Sequence, residues 1–310
     1  MITVRKSITL SFLFLCCSLP FFAKEPDFET RYIQNGDTKL FCRTIGSGPP
    51  LIIIHGGPGG SQNYLLPHMA TLAKTNFVIF YDQRGCGNSS GPINDETINI
   101  DHFVEDIEAI RKGFLLEKIS VLGHSWGGHL ALLYALSHQE HLDKLILLNP
   151  MPASSEDFSL FADEWTQRLS AHMDELNSIK NSTAFLEGDP KSCEQYFLTI
   201  FRRYCFDPKM ADRLNFMLSR SANLRGIKIS EIFERKYISE PFDLLPRLEQ
   251  ILSETLIIHG DADPIPLRTV ERIHKSMKNS SLVVIKQCGH FPYVEKPTEF
   301  FDVTYTFLLK

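Results

Sequence analysis

Lys118 to Gln139 reads "KISVLGHSWGGHLALLYALSHQ". An apolar run ending at Leu122 meets Gly123-His124-Ser125-Trp126-Gly127, and residues with helical spacing follow, among them Leu130, Leu133, Tyr134 and Leu136. A G-x-S-x-G pentapeptide between a strand and a helix is the context of a nucleophile elbow, a tight turn that lifts a serine hydroxyl out of the backbone. Small residues are required at 123 and 127 because two backbones approach there. A serine hydroxyl is a weak nucleophile, so it needs a base, and the base needs an orienting carboxylate.

The rest of the chain supplies candidates in the order serine, carboxylate, histidine. Apolar runs end at "LIIIHGG", "NFVIFYD", "KISVLGHS", "KLILLNP", "TLIIHGD" and "SLVVIKQCGH". They are continuous rather than alternating, which predicts strands buried on both faces of a parallel sheet. Sites on such sheets form at the carboxyl ends of the strands. "TLIIHGDADPIP" offers Asp261 and Asp263 there, and the last strand is followed by His290. Position after that strand separates His290 from His55, His124 and His129 as the general base.

The remaining pattern fits an α/β plan. "YIQNGDTKLFCRTIG" alternates around Asn35-Gly36 and reads as a hairpin. "TINIDHFVEDIEAIRKGF" sets Ile100, Phe103, Val104, Ile107 and Ile110 on one helical stripe, with Glu105, Asp106 and Glu108 elsewhere. Pro297 opens a final helix. From 151 to 240 there are helical patterns and no buried strand. Phe158, Phe161, Trp165, Leu169 and Met173 recur at helical spacing and read as the interior of a helical insertion. Ser192 to Gln195 resembles a capping box, and Asp207-Pro208 a cap and first turn. The expected organisation is therefore a core from 24 to 150, a helical lid from 151 to 240, and the rest of the core from 241 to 310.

"HGGPGG", His55 to Gly60, could suggest a phosphate cradle. It lacks a Gly-Lys-Ser/Thr ending, and Gln62 falls where a G-x-G-x-x-G register needs its third glycine. Acyl transfer offers it another task, because the tetrahedral oxyanion needs backbone N–H donors. One follows the nucleophile, at Trp126. Asp82 and Arg84 read as a charged pair bracing the neighbouring loop.

The blocks "HGGPGG", "YDQRGCGNS" (Tyr81 to Ser89) and Gly123 to Gly128 resemble the α/β-hydrolase superfamily, and within it the proline iminopeptidase group of serine aminopeptidases. The resemblance covers about residues 30–150 and 241–310. It implies that Gly57 supplies the second oxyanion donor. It also places the orienting aspartate three residues after the glycine of "HG-x-x-D", which is Asp263, with Asp261 second. The implied activity is release of an N-terminal residue, proline preferred, through an acyl-enzyme. Members read the free amine with acidic residues, some directly after the triad aspartate. Here that position is Pro264. Glu194, Glu231 and Glu234 are the candidates in the insertion, their other reading being solvated helix faces. Hydrolysis of an ester, lactone or other amide is the alternative, and a non-catalytic binding protein on the same fold the further one.

Composition bounds the rest. The chain has 310 residues, is 43% hydrophobic and 22% charged, and carries net charge -5, so it has no basic footprint for nucleic acid. The expected partner is a small peptide, amide or ester substrate, and no metal or organic cofactor is implied. Arg5 and Lys6 precede an apolar run from Ile8 to Phe22, so residues 1–23 read as a secretory signal and predict export; an uncleaved anchor is the other reading. No membrane span is expected once it is removed. Of seven cysteines, Cys16 and Cys17 lie in this segment. Cys42, Cys86, Cys193, Cys205 and Cys288 have no metal-ligand spacing and read as buried apolar residues, with Cys193–Cys205 a conceivable disulfide.

Overall fold

The computed structural model describes residues 26–310; the signal expected in 1–23 lies outside them. Eight strands form one sheet in the order β1-β2-β4-β3-β5-β6-β7-β8. β1 (Glu29–Asn35) and β2 (Thr38–Ile45) make the hairpin around Asn35-Gly36, and β2 lies antiparallel to β4 (Phe77–Tyr81). β3 (Pro50–Ile54), β4, β5 (Ile119–His124), β6 (Leu142–Leu148), β7 (Glu254–Gly260) and β8 (Ser280–Ile285) are mutually parallel.

The continuous apolar runs are explained by cover on both faces. Ile52 and Ile54 of β3 face one core with Phe103 and Ile107, whereas Leu51 and Ile53 face another with Leu72 and Phe300. All four β3 residues are 0% exposed, so no polar alternation could be tolerated there. α1 (Ile100–Gly113), α2 (Trp126–Ser137) and a later helix, Leu267–Ser276, serve the first core. The final helix, Pro297–Leu308, serves the second.

Between β6 and β7 the chain is helical: α3 (Ser155–Leu169), α4 (Met173–Lys180), α5 (Thr183–Leu186), α6 (Pro190–Phe201) and α7 (Arg220–Phe233), then a π-type turn at Glu234–Ile238. The expected capping box at Ser192 is not the start of α6. Asp189 caps it, accepting the Ser192 N–H with Pro190 in the first turn. Asp207 does cap, but a short 3-10 helix, Pro208–Arg213. α8 (Leu267–Ser276), α9 (Pro292–Glu295) and α10 (Pro297–Leu308) complete the chain. Among the described residues, no helix is long and apolar enough to cross a membrane.

One local expectation is corrected. Asp82 and Arg84 do not pair with each other. Arg84 forks onto Asp106 at 2.8 and 2.7 Å, while Asp82 accepts the N–H groups of Gln62 and Asn88 at 3.0 and 2.8 Å. Asp106 and Glu108, off the apolar stripe of α1, are nonetheless buried; guanidinium partners make that burial tolerable. The five described cysteines are free and buried, and Cys193 and Cys205 are not joined. Burial pushes the Cys86 thiol up to about 12, helped by Asp82, so it is no nucleophile.

Candidate active site

Ser125 sits between β5 and α2 with φ 58° and ψ -122°, a left-handed conformation that a non-glycine residue adopts only under constraint. The constraint is visible. Ser125 N–H donates to Leu148 O at 3.0 Å, and Ser125 O accepts from Gly128 and Met151 N–H at 2.9 and 3.0 Å. A Cβ on Gly123 would collide with the Gly127 carbonyl, and one on Gly127 with the Ile54 carbonyl. The elbow therefore needs both glycines, and the turn leaves Ser125 facing a cavity of about 560 Å³.

His290 lines the same cavity, in the loop between β8 and α9. Its Nδ1 lies 2.7 Å from Asp263 Oδ2, and both residues are buried. Asp261 reaches neither: it accepts the Cys288 N–H and pairs with Lys286 at 3.6 Å. Asp263 Oδ1 accepts the Ile265 N–H at 2.7 Å. Burial pushes the Asp263 carboxyl up, but His290 and these hydrogen bonds outweigh it and hold the group below the ordinary carboxylate value. An ionised Asp263 orients the imidazole with Nδ1 toward itself, leaving Nε2 as the free ring nitrogen.

The two expected oxyanion donors, Gly57 and Trp126, also line the cavity. Among the described residues neither backbone N–H has a protein acceptor. Gly57 has φ 137°, a region open to glycine and strained for other residues. The second half of "HGGPGG" does something else: Gly59 packs against Gly226 of α7, where a Cβ on either would strike the other's backbone, and Ser230 Oγ donates to Pro58 O at 2.9 Å. The loop is thus a docking surface for α7 as well as part of the site.

Several site residues carried no signal in the sequence. Asn149, at the end of β6, donates from Nδ2 to Asp263 Oδ2 and to Gly289 O. Gln83 bridges the two halves of the site: its Nε2 donates to His55 O at 2.6 Å, and its Oε1 accepts Trp126 Nε1–H at 3.0 Å. His124 Nε2–H donates to His290 O at 2.9 Å, so its Nδ1 accepts from Tyr64 Oη–H at 2.7 Å, the tautomer following from the carbonyl partner. Burial, with His290 beside it, pushes the His124 pKa down to about 3, and the ring stays neutral. These are single polar side chains whose partners are distant in sequence, so no local pattern marks them.

The cavity walls are aromatic. Phe158, Phe161, Trp165, Phe197, Phe201 and Phe216 face it from the helical segment, so residues expected to form only that segment's interior also line the site. Of the three candidate glutamates only Glu234 lines the cavity. Glu194 does not, and Glu231 lies with Lys228 and Arg235 on a separate outer depression. No cluster of metal-ligating side chains occurs among the described residues.

A nucleophile elbow at the end of β5, with a carboxylate and a histidine after β7 and β8, defines a class, and the chain belongs to it: residues 49–297 match the α/β-hydrolase fold family. Closer likeness is to proline iminopeptidases. That of Saccharolobus solfataricus is 30% identical over 297 residues, covering 87% of each chain. That of Thermoplasma volcanium is 29% identical over 275 residues, covering 87% of this chain and 92% of the relative. In fold the chain resembles the crystal structure of a proline iminopeptidase from Mycobacterium smegmatis (TM-score 0.68, 23% identity, 90% and 97% covered). It resembles an esterase from Exiguobacterium antarcticum nearly as well (TM-score 0.64, 22% identity, 91% and 100% covered).

Proposed function

We propose that the protein is a serine aminopeptidase that releases the N-terminal residue, proline preferred, from short peptides or amides. The observation that carries this reading is a cavity faced by Ser125, His290 and one carboxylate, the exposed Glu234, within mostly apolar walls. A free α-amine is protonated below about pH 8, so one carboxylate in the lining of a mostly apolar cavity attracts it and orients the substrate. Ser125 Oγ attacks the carbonyl carbon while His290 Nε2 takes its proton. The oxyanion is received by the N–H groups of Gly57 and Trp126. His290 returns the proton to the departing amine, and water then hydrolyses the ester by the same route. The helical segment from Ser155 to Ile238 acts as the cover that keeps bulk water from the charge-separated state.

A second reading, hydrolysis of an ester, lactone or other amide, is favoured by the predominance of aromatic over charged residues in the walls. The deciding experiment compares N-terminal prolyl and other aminoacyl amides with their N-blocked counterparts, beside simple esters and lactones. The aminopeptidase reading expects free substrates to be preferred; equal cleavage of free and blocked amides rejects it. Export is proposed with it, on the charged start and apolar run before Ala23. A fusion of residues 1–30 to an export reporter that stays in the cytoplasm would overturn that part alone.

A further inference from the structure

His290 lies on irregular backbone between β8 and α9, so no ladder or helix fixes it. Its position depends on what its neighbours' backbone groups bond to. Glu295, the last residue of α9, carries most of that load. Its carboxylate accepts the Gly289 N–H at 3.1 Å on each oxygen and the Phe291 N–H at 3.2 Å on Oε1. These two residues flank His290. Its Oε2 also accepts the N–H of Phe206, at 2.7 Å, and Phe206 belongs to the stretch between α6 and α7. From that stretch the Tyr204 carbonyl accepts the His290 N–H at 2.8 Å, and the Tyr204 ring stands edge-on to the imidazole, with centroids 5.2 Å apart.

We propose that Glu295 is a positioning residue: its carboxylate holds the loop that carries His290 and ties it to the helical segment over the cavity at Phe206. Three backbone N–H groups converging on one carboxylate are charge-assisted bonds, stronger than neutral ones, and they remove rotational freedom on both sides of His290. The base and the cover of the cavity are thereby coupled. A displacement of the segment at Phe206 pulls on the same carboxylate that sets the imidazole, and a ring displaced by about 1 Å can lose about a hundredfold in rate.

The inference rests on Ser125 and His290 acting as nucleophile and base. Glu295→Gln keeps the size of the side chain and replaces one acceptor oxygen with an amino group that cannot receive an N–H. The full chain and this variant would be compared by the rate at which a fluorophosphonate labels Ser125, by kcat and KM on a small prolyl amide, and by the proton resonance of His290 Nδ1–H. The expected result is a fall of about 10- to 100-fold in labelling rate and kcat. KM should stay within about twofold because Glu295 lies outside the cavity lining, and the Nδ1–H resonance should broaden or vanish. Labelling and kcat within about twofold of wild type, in a folded variant, would overturn the proposal. An unlabelled wild type would instead reject the role of Ser125. Phe206→Pro removes one N–H and leaves Glu295 in place, so it serves if Glu295→Gln does not fold. It should slow labelling by roughly 3- to 10-fold, and an unchanged rate in the folded protein overturns the coupling.

Discussion

Ser125 is presented to the cavity by a backbone conformation it would not choose alone, and His290 is oriented by Asp263, so in the proposed mechanism each is useful only in company. Groups that act as a unit are lost together. Ser125→Ala and His290→Ala are each expected to lower turnover by at least about 10³-fold without disturbing the fold, measured as amide hydrolysis beside a thermal melt. Retained turnover in either would mean the triad is misassigned. Glu234 has a separable task. Glu234→Gln should raise KM for free-amine substrates about tenfold, the loss of roughly 1.4 kcal/mol, and leave N-blocked esters unchanged. An equal effect on both substrate types would remove Glu234 from amine recognition. Ser125 and His290 were legible in the sequence because an elbow has a fixed local pattern and the base follows the last strand. Asn149, Gln83 and Glu295 were not, because what defines them is a partner far along the chain: Asp263, Trp126 and Phe206 respectively.

The strands and most helices of the core follow directly from continuous and 3.6-period apolar patterns, since burial on two faces or one stripe leaves few alternatives. Polar contacts between elements do not follow so simply. Arg84, in the loop after β4, bonds Asp106 of α1 rather than Asp82, two residues away, while Asp82 is occupied by two backbone N–H groups. Docking of α7 is likewise an inter-element fact. Gly226 meets Gly59 backbone to backbone, so Gly226→Ala inserts a methyl group where there is no room. A destabilisation of about 1–3 kcal/mol is expected, together with lower activity as α7 lifts from the "HGGPGG" loop. Thermal unfolding and kcat would be measured together; a variant equal to wild type in both would show that this contact is loose.

The molecule as a whole buries several neutral histidines, and this sets how its stability depends on pH. Burial pushes His124 down to about 3 and His129 to about 4, and it lowers His55 and His259 too. In the unfolded chain these rings titrate near about 6.5. Below that pH the unfolded chain binds protons that the folded chain refuses, so stability is full above about 6.5 and falls as the pH drops toward the folded values. At pH 5, His124 and His129 should each cost roughly 2 kcal/mol. Asp263 acts in the same direction over a lower window, whereas Asp106 and Glu295, whose carboxyls burial pushes up, act the other way. The lowered Asp263 carboxyl contributes stability above about pH 4 that is lost only below it, so it adds to the histidine loss only in stronger acid. The melting midpoint should therefore be clearly lower at pH 5.0 than at pH 7.5; an equal or higher midpoint at pH 5.0 would contradict this account.

From "GHSWG" and the runs of buried strands, the sequence by itself determined the class of fold, the candidates for nucleophile and base, and their chain order. Those features are written in local periodicity and tight-turn chemistry, which neighbours along the chain impose. The tertiary structure added the contact that joins His290 to Asp263 rather than Asp261, put Glu234 alone of the three glutamates in the cavity lining, and turned the aromatic residues of α3 and α6 toward the cavity. Those outcomes depend on how elements pack across the molecule, and a side chain's direction into a shared cavity is set by packing rather than by spacing. "HGGPGG" belongs to both: its first glycines suit the oxyanion turn that the pattern suggests, while Gly59 is explained only by the helix that comes to rest on it.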